Sequence, residues 1–413
     1  MTVEAVDVDA PPARGRLFAY LLAFVLLGIG LSAGGPALVH IRDRAGVGVG
    51  LSGLVLGGQA IGYIAGSLAS GGLYDRGHGH RALVAGACGM ALALGAASLV
   101  TSLAAVTLAF VAVGAAAAMV DVGGNTMVVW GRSSKDVGSS LNALHLCFGI
   151  GALTTPLLVT LSVDRTDSFW LVALALGAGT LVLWAMLRGV TTPHRAPVAR
   201  STPATPATPV TPAPVPSRRL LAIVALFFFL YVGSEGTMAG WVATYGDELE
   251  LGGPGAASWL ASTFFAGFTL GRVVAVVIAR RLTATTLLIG SCLGSMVAAF
   301  ALAATDHRSG AVWVGTAAFG FFLGPQYASM MAVGDQRLRL SGSWTSLIIA
   351  ASGVGGLLLP VGTGWVLDRR GATALPWALL VASIATTTVA ALVVSARPGG
   401  RVAGRARTAT PTG

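Results

Sequence analysis

Charged residues are scarce in this chain of 413 residues. Asp, Glu, Lys and Arg together make up 10% of it, whereas hydrophobic residues make up 54% and the mean hydropathy is +0.79. Soluble domains carry about 25% charged residues. This composition therefore argues against a soluble protein and indicates one that crosses a lipid bilayer many times.

Cysteine is almost absent, and the three that occur, Cys88, Cys147 and Cys292, lie inside apolar runs. Their spacing matches no metal site, so we expect them to pack as small hydrophobic residues. The sequence also shows no phosphate-binding loop and no recognisable nucleophile and base pair. We therefore predict no metal, no cofactor and no enzymatic activity.

The net charge of +10 would suggest nucleic acid in a soluble chain. Here the basic residues lie between apolar runs, where the positive-inside rule explains them, so we expect no nucleic-acid partner. Nineteen of the 26 Lys and Arg residues fall in the tails and in loops on the side of the termini. We therefore predict a multi-pass protein of the inner (cytoplasmic) membrane with both termini in the cytoplasm.

Twelve apolar runs are long enough to cross the hydrocarbon core, which takes about 20 residues. They lie near residues 16–39, 49–73, 82–101, 103–130, 139–161, 168–188, 220–246, 256–280, 284–304, 311–333, 342–366 and 373–396. The predicted fold class is an all-α polytopic membrane protein whose twelve transmembrane helices form two six-helix parallel repeats.

A Thr- and Pro-rich stretch, residues 201–217, separates the two sets of runs. Frequent proline removes backbone donors and favours extended chain, so this stretch is predicted to be a solvated linker. The predicted divisions are a cytoplasmic tail 1–15, an N-terminal bundle 16–188, a cytoplasmic linker 189–219, a C-terminal bundle 220–396 and a cytoplasmic tail 397–413.

The two sets of runs correspond in sequence. At an offset of 204 residues, Gly149, Gly151, Leu153, Pro156, Asp164 and Arg165 match Gly353, Gly355, Leu357, Pro360, Asp368 and Arg369. Glycine is common here, but the Pro, Asp and Arg matches at one offset are harder to attribute to chance. Since each repeat has an even number of spans, both copies are expected to enter the membrane from the same side.

The loop after the second run, GSLASGGLYDRGHGHR at 66–81, carries a short charged turn. It resembles the signature of the major facilitator superfamily, with Gly71, Asp75, Arg76 and Arg81 at or near the expected places. His78 occupies the position of the second glycine, and Gly79 follows one residue late. The resemblance implies contacts at the cytoplasmic face that favour one conformation and break in the other.

Four further segments resemble the fucose:proton symporter and sodium-dependent glucose transporter-like branch of that superfamily. They are DVGGN at 121–125, NALHLCFGIGALTTP at 142–156, YVGSEGTMAGWVATY at 231–245 and GFTLGR at 267–272. The resemblance implies that Asp121 takes part in proton coupling and that Asn125 lies at the sugar site. The first run lacks the carboxylate that the fucose symporters have there.

Three ionisable residues lie deep within predicted spans: Asp121, Glu235 and Arg272. A charge at the membrane centre costs about 2.5–3.5 kcal/mol on insertion scales, so such residues face a wet cavity or a partner. Glu235 and Arg272, on adjacent helices, are predicted to form a charge pair, with Glu235 also a candidate for ion coupling. Asp121 has no basic partner in its own half and is the leading candidate for coupling.

The remaining candidates each have a structural alternative. His145 is a candidate proton relay or a packed histidine. Asn142, Trp241, Gln326 and Tyr327 are candidate cavity residues, since a tryptophan can stack on a sugar ring and the amides and hydroxyl can bind a solute. Packing between helices is the alternative for Gln326 and Tyr327, and Tyr245 is either a second stacking residue or an interfacial anchor.

These patterns together predict a secondary active transporter for a small polar solute, a sugar or polyol, coupled by symport to a proton or to sodium. Its expected partners are the solute, the coupling ion and the lipid bilayer, and we expect a monomer. A drug or metabolite exporter of the same fold is one alternative. A non-transporting membrane sensor is another.

Overall fold

The computed structural model describes residues 11–132, 137–166, 168–193, 218–251, 256–279, 281–305, 309–338 and 342–396. Within helices, the side chains of residues 11–14, 71, 75, 137–139, 309 and 342–346 are also outside the description. The predicted linker, residues 201–217, the predicted C-terminal tail and most of the predicted N-terminal tail lie outside the described residues.

The described chain folds into helices. They are α1 (Pro11–Ser32), α2 (Gly34–Ala45), α3 (Val49–Asp75), α4 (Gly79–Leu99), α5 (Leu103–Gly131), α6 (Val137–Thr166), α7 (Trp170–Leu187), α8 (Arg218–Glu248), α9 (Ala256–Ile278), α10 (Ala284–Ala304), α11 (Ser309–Leu323), α12 (Gln326–Leu338), α13 (Gly342–Arg370) and α14 (Ala374–Ser395).

Eleven helical stretches in the described chain are long and apolar enough to cross a membrane. One of them combines α1 and α2, which are separated at Ala33 just before Gly34, Gly35 and Pro36. A twelfth crossing is divided between α11 and α12, which are each too short to span alone. The division falls at Gly324 and Pro325, because proline lacks the N–H that a continuous helix needs. The predicted twelve-span architecture is confirmed.

Helices α1 to α7 pack together as one bundle and α8 to α14 as a second. The main contacts between the bundles are made by α3 with α13, α6 with α9, and α2 with α8, and α2 also touches α9. Helices α6 and α13 each contain an internal proline, Pro156 and Pro360, at the offset found in the sequence. They occupy corresponding places in the two bundles, since each packs against the other bundle. The predicted two-repeat arrangement is confirmed.

Successive crossings alternate in direction and so define two sides. The terminal side holds the start of α1, the end of α14 and the turn between α3 and α4. The far side holds the turn between α2 and α3 and the turn between α13 and α14.

Glycine lets α3 and α5 approach closely near the middle of the membrane. A Cβ atom added at Gly114 of α5 would lie 2.8 Å from the backbone nitrogen of Tyr63 on α3. A Cβ atom at Gly62 would collide with the backbone of Val111. Small residues at such crossings are the usual means by which membrane helices pack. The close approach brings the Tyr63 side chain beside the next turns of α5.

Candidate functional site

Asp121 is the centre of a hydrogen-bonded group in the N-terminal bundle. The Tyr63 hydroxyl on α3 donates to its Oδ2 atom. The amide of Asn125, one turn further along α5, donates to Oδ1 at 2.8 Å and to the backbone carbonyl of Asp121 at 2.9 Å. Both carboxylate oxygens therefore accept a protein donor. Asp121 and Asn125 remain half-buried, because this face of α5 borders an internal cavity.

His145 on α6 lies beside this group and faces open space. Its ring meets the ring of Phe24 edge-on at a centroid distance of 5.8 Å. It interacts electrostatically with both Asp121 and Arg272, the second of which belongs to the other bundle. The side chain of His145 is exposed and not packed into the interior of the bundle.

Glu235 on α8 and Arg272 on α9 form the corresponding charged group in the C-terminal bundle, and they interact electrostatically. Among described residues, no carboxylate oxygen lies within 4.0 Å of an Arg272 nitrogen, so the two are neighbours but not a closed salt bridge. The guanidinium instead lies over the ring of Phe268, 4.2 Å from its centroid. The charge pair remains a prediction.

Tyr231 lies one turn before Glu235 and is fully buried. Its hydroxyl is next to both Glu235 and Arg272, but it makes no hydrogen bond of standard geometry with any described residue. The Tyr231 ring is 6.0 Å from the ring of Tyr327 on α12.

Tyr327 lies close to both groups, because its hydroxyl interacts electrostatically with Asp121, Glu235 and Arg272. The break before α12 contributes to this placement. A Cβ atom at Gly324 would lie 3.2 Å from the backbone nitrogen of Arg272, so glycine allows α9 to touch the break. The charged groups of the two bundles therefore lie near one another where the bundles meet.

A cavity of about 360 Å³ lies on the terminal side of Asp121, within the N-terminal bundle. Its wall is formed by parts of α3, α5 and α6 close to that side, and the residues are Tyr74, Val122, Asn125, Thr126, Val129, Trp130 and Leu141. Because Asn125 belongs both to this wall and to the Asp121 group, the cavity borders that group.

The far side is closed by contacts between the bundles. Arg42 at the end of α2 bonds Glu248 at 3.3 Å and Asp247 at 3.6 Å, both on α8. The carboxylate of Asp368 on α13 accepts the backbone N–H of Gly50 at 3.3 Å, in the first turn of α3. Negative charge at a helix N-terminus is favourable, so this contact supplies α3 with a cap from the other bundle.

Trp241 lies in this far-side seal and is fully buried. Its indole N–H donates to the Pro360 carbonyl at 2.8 Å. A Cβ atom at Gly53 would lie 3.1 Å from the indole, so glycine on α3 gives the ring its room. In this structure Trp241 therefore packs between the bundles and does not line the cavity on the terminal side.

Three other candidates from the sequence have distinct positions. Gln326 is buried against α10, where its amide donates to Ser295 at 2.9 Å and to the Ser291 carbonyl at 3.3 Å. Asn142 is exposed near the start of α6 and makes no hydrogen bond with the described members of the cluster. Tyr245 is buried toward the far end of α8.

The signature segment forms the tight turn between α3 and α4. Gly77 adopts a φ of 80°, a left-handed conformation that glycine accepts readily. Gly79 packs closely against Met127 and Thr192. A Cβ atom added at this position would lie 2.6 Å from the Met127 side chain and 2.8 Å from the Thr192 side chain. Arg76 and Arg81 are exposed, and the side chains of Gly71 and Asp75 lie outside the described residues.

A family model for the Major Facilitator Superfamily matches residues 20–360. The chain belongs to the Major Facilitator Superfamily. The family consists of membrane transporters and not of enzymes, and alternating access to a central site between two bundles is general to its fold. The resemblance found in the signature segment is thereby confirmed.

Individual proteins agree with this assignment. The sodium-dependent glucose transporter 1A of Mus musculus is 25% identical over 377 residues, which cover 83% of this chain and 87% of that protein. The structure of the nucleoside transporter NupG has a TM-score of 0.71 at 15% identity, covering 92% of this chain and 99% of that one. The E. coli fucose:proton symporter has a TM-score of 0.61 at 16% identity, covering 92% and 98%.

Sequence reasoning missed Tyr63 and Tyr231. Each carries a polar hydroxyl in an otherwise apolar run, but an isolated tyrosine in a membrane helix also occurs at lipid interfaces. The usable signal for Tyr63 was its neighbour Gly62 in a series with Gly58 and Gly66, which predicts a helix contact on that face. Tyr231 had a clearer signal, since it precedes Glu235 by one helical turn and so lies on the same face.

Proposed function

We propose that this protein is a secondary active transporter that moves a small polar solute, a sugar or polyol, together with a proton. The observation that carries the proposal is Asp121, a half-buried acidic residue in the middle of α5 whose carboxylate is bonded to Asn125, a residue of the cavity wall. The names of two similar proteins, a glucose transporter and a fucose:proton symporter, support the solute class.

In this proposal the terminal side is the cytoplasm and the far side is the exterior of the inner membrane, as the distribution of Arg and Lys favours. The closed far-side seal and the open terminal-side cavity then correspond to an inward-facing state. The signature residues Gly71, Asp75, Arg76, Gly79 and Arg81 act at the cytoplasmic face. The chain works as a monomer, with the linker joining the bundles.

Asp121 carries the coupling proton. When ionised, it accepts bonds from Tyr63 and Asn125. When protonated, one oxygen becomes a donor, so one of these two contacts must change. The released hydroxyl or amide is then available to the solute. Proton and solute binding are thereby linked through the same side chains, and His145 offers a route for the proton between Asp121 and the cavity.

Reconstituted vesicles test the proposal. Purified protein in liposomes should accumulate a labelled neutral sugar or polyol when the source compartment is acidic, and a protonophore should abolish the accumulation. Accumulation that follows a sodium gradient at constant pH would assign coupling to sodium. Proton-driven efflux of lipophilic cations, without movement of any sugar or polyol, would replace the proposal with the exporter alternative.

A further inference from the structure

The C-terminal bundle holds strong hydrogen-bonding groups that the protein leaves unused. Arg272 and Glu235 lie close to each other and to Tyr231, but neither makes a hydrogen bond of standard geometry or a salt bridge with a described residue. Both side chains are half-buried. Arginine has five N–H donors, and a carboxylate has two acceptor oxygens.

Tyr231 provides a second, independent observation. Its side chain is completely buried, and its hydroxyl lies next to Glu235 and Arg272 but makes no hydrogen bond of standard geometry with a described residue. Buried polar groups in proteins are nearly always bonded, so an unpartnered one points to a water or ligand atom. The hydroxyl, the guanidinium and the carboxylate thus converge on one place.

We propose that Arg272, Glu235 and Tyr231 together bind two neighbouring hydroxyl groups of an uncharged solute. This inference rests on the proposed function and specifies its solute. A hydroxyl group both donates and accepts, so one can donate to Glu235 while its oxygen, and that of its neighbour, accept from Arg272 and Tyr231. The half-buried ring of Tyr327 borders the same space and offers a flat surface for the apolar face of a sugar.

Charge balance selects an uncharged solute. The described groups of the cluster include two carboxylates, Asp121 and Glu235, and one guanidinium, Arg272. With one proton on Asp121 and with His145, which lies beside Asp121, uncharged, the cluster is neutral. A solute with its own carboxylate would add an uncompensated negative charge within the membrane, where such a charge is costly. Sugar acids should therefore bind much more weakly than the matching neutral sugars.

Calorimetric titration of the purified full-length protein at neutral pH tests both parts. The probes are D-glucose, D-galactose and D-mannitol, with D-glucuronate and D-galacturonate as acids of the same ring. At least one neutral probe should bind, and its acid counterpart at least tenfold more weakly. Arg272→Lys, which keeps the charge but removes the planar fork, and Tyr231→Phe should each raise the Kd of the neutral probe roughly tenfold.

A matched control separates ligand binding from folding. Tyr20→Phe also removes a buried tyrosine hydroxyl, but one that bonds His80 at 2.8 Å outside the cluster, so it should leave the Kd unchanged. The thermal unfolding midpoint without ligand should stay the same or rise for Tyr231→Phe. A reduced affinity in a variant with an intact midpoint therefore reports on the solute site.

The titrations distinguish failure of the proposed solute site from failure of the proposed function. Wild-type affinity in both the Arg272→Lys and the Tyr231→Phe protein would overturn this assignment and leave the proposed function standing. Equal or tighter binding of the acids would overturn the uncharged class. If no neutral sugar or polyol bound the wild-type protein, the proposed function would fall together with this inference.

Discussion

The two bundles share a fold but differ in how their midplane polar groups are bonded. In the N-terminal bundle, both oxygens of Asp121 accept protein donors, from Tyr63 and Asn125. In the C-terminal bundle, Glu235 and Arg272 lie near each other without a closed salt bridge, and the Tyr231 hydroxyl has no described partner. The hydrogen bonds of the Asp121 group are therefore satisfied within the protein, whereas those of the Glu235, Arg272 and Tyr231 group are not.

This difference suggests a division of labour between equivalent halves. A carboxylate held by two donors keeps a fixed position, which suits a group that must exchange a proton in each cycle. Groups without partners keep their capacity for hydrogen bonds, which suits the binding of a solute. An unused buried polar group destabilises the protein by about 1–3 kcal/mol, so its presence favours a binding role.

The largest expected effect follows from removing the proton carrier. Asp121→Asn keeps the shape of the side chain but cannot gain or lose a proton. Vesicles with this variant should fail to accumulate the labelled solute against its gradient, while exchange of labelled for unlabelled solute continues. Asp164→Asn, the same change at an exposed site near the far-side end of α6, serves as the control and should transport normally.

Accumulation by Asp121→Asn with unchanged pH dependence would remove Asp121 from the coupling role. His145 and Glu235 would then be the next residues to test. In that case the hydrogen-bonded Asp121 group would have a structural role, and the division of labour inferred for the two bundles would be wrong.

The next effect concerns the charges of the C-terminal bundle. Glu235→Gln or Arg272→Gln leaves one charge without its neighbour; because both side chains are half-buried, the loss should be smaller than the ~3–5 kcal/mol typical of a fully buried pair. The double variant should be less destabilised than either single variant. Thermal unfolding in detergent measures the stability, and calorimetric titration should show that solute binding is not restored with it.

A double variant that is less stable than both single variants would refute the charge pair. Glu235 would then be a second candidate for ion coupling. Recovery of solute affinity in the double variant would instead show that Arg272 acts through Glu235 and not on the solute.

A smaller and opposite pair of effects separates the two tyrosines. Tyr63→Phe removes a donor to a carboxylate and should destabilise the protein by roughly 1.5–3 kcal/mol. Tyr231→Phe removes a hydroxyl with no described partner, so stability should be unchanged or improved. Unfolding midpoints measured side by side, without solute, compare the same atomic change in both bundles. Equal losses would mean that Tyr231 has a protein partner.

The smallest effect is expected from replacing the linker that joins the two bundles. A Gly/Ser segment of equal length in place of residues 201–217 should leave transport unchanged, because a chain of 17 residues can reach up to about 3.1 Å per residue. Transport assays and a measure of membrane insertion test this together. Lost transport with normal insertion would reveal a specific contact of the linker with one bundle.

The family, the twelve crossings and the repeat could be predicted from the sequence. Each depends on local or periodic features: runs of about 20 apolar residues, a charged turn with glycines, and matches such as Pro156 with Pro360 at one offset. The depth of Asp121, Glu235 and Arg272 also followed from chain position, since rise along a helix is fixed at about 1.5 Å per residue.

The partners of those residues could not be predicted in the same way. Tyr63 meets Asp121 because Gly62 and Gly114 let two helices approach, and an apolar sequence contains many such glycines with no indication of which will pair. Trp241 was expected near the solute but lies in the far-side seal, since the sequence does not specify which face of α8 meets the other bundle.

Gln326 and Tyr327 show the same limit within a single turn. Adjacent residues on a helix point about 100° apart, so they can contact different neighbours. The structure directs Tyr327 toward the charged groups and Gln326 toward α10. Sequence alone determined the membrane class, the spans and the depth of each charge, because these depend on distance along the chain. Tertiary packing decided which side chains meet, because that depends on the rotation and spacing of helices far apart in sequence.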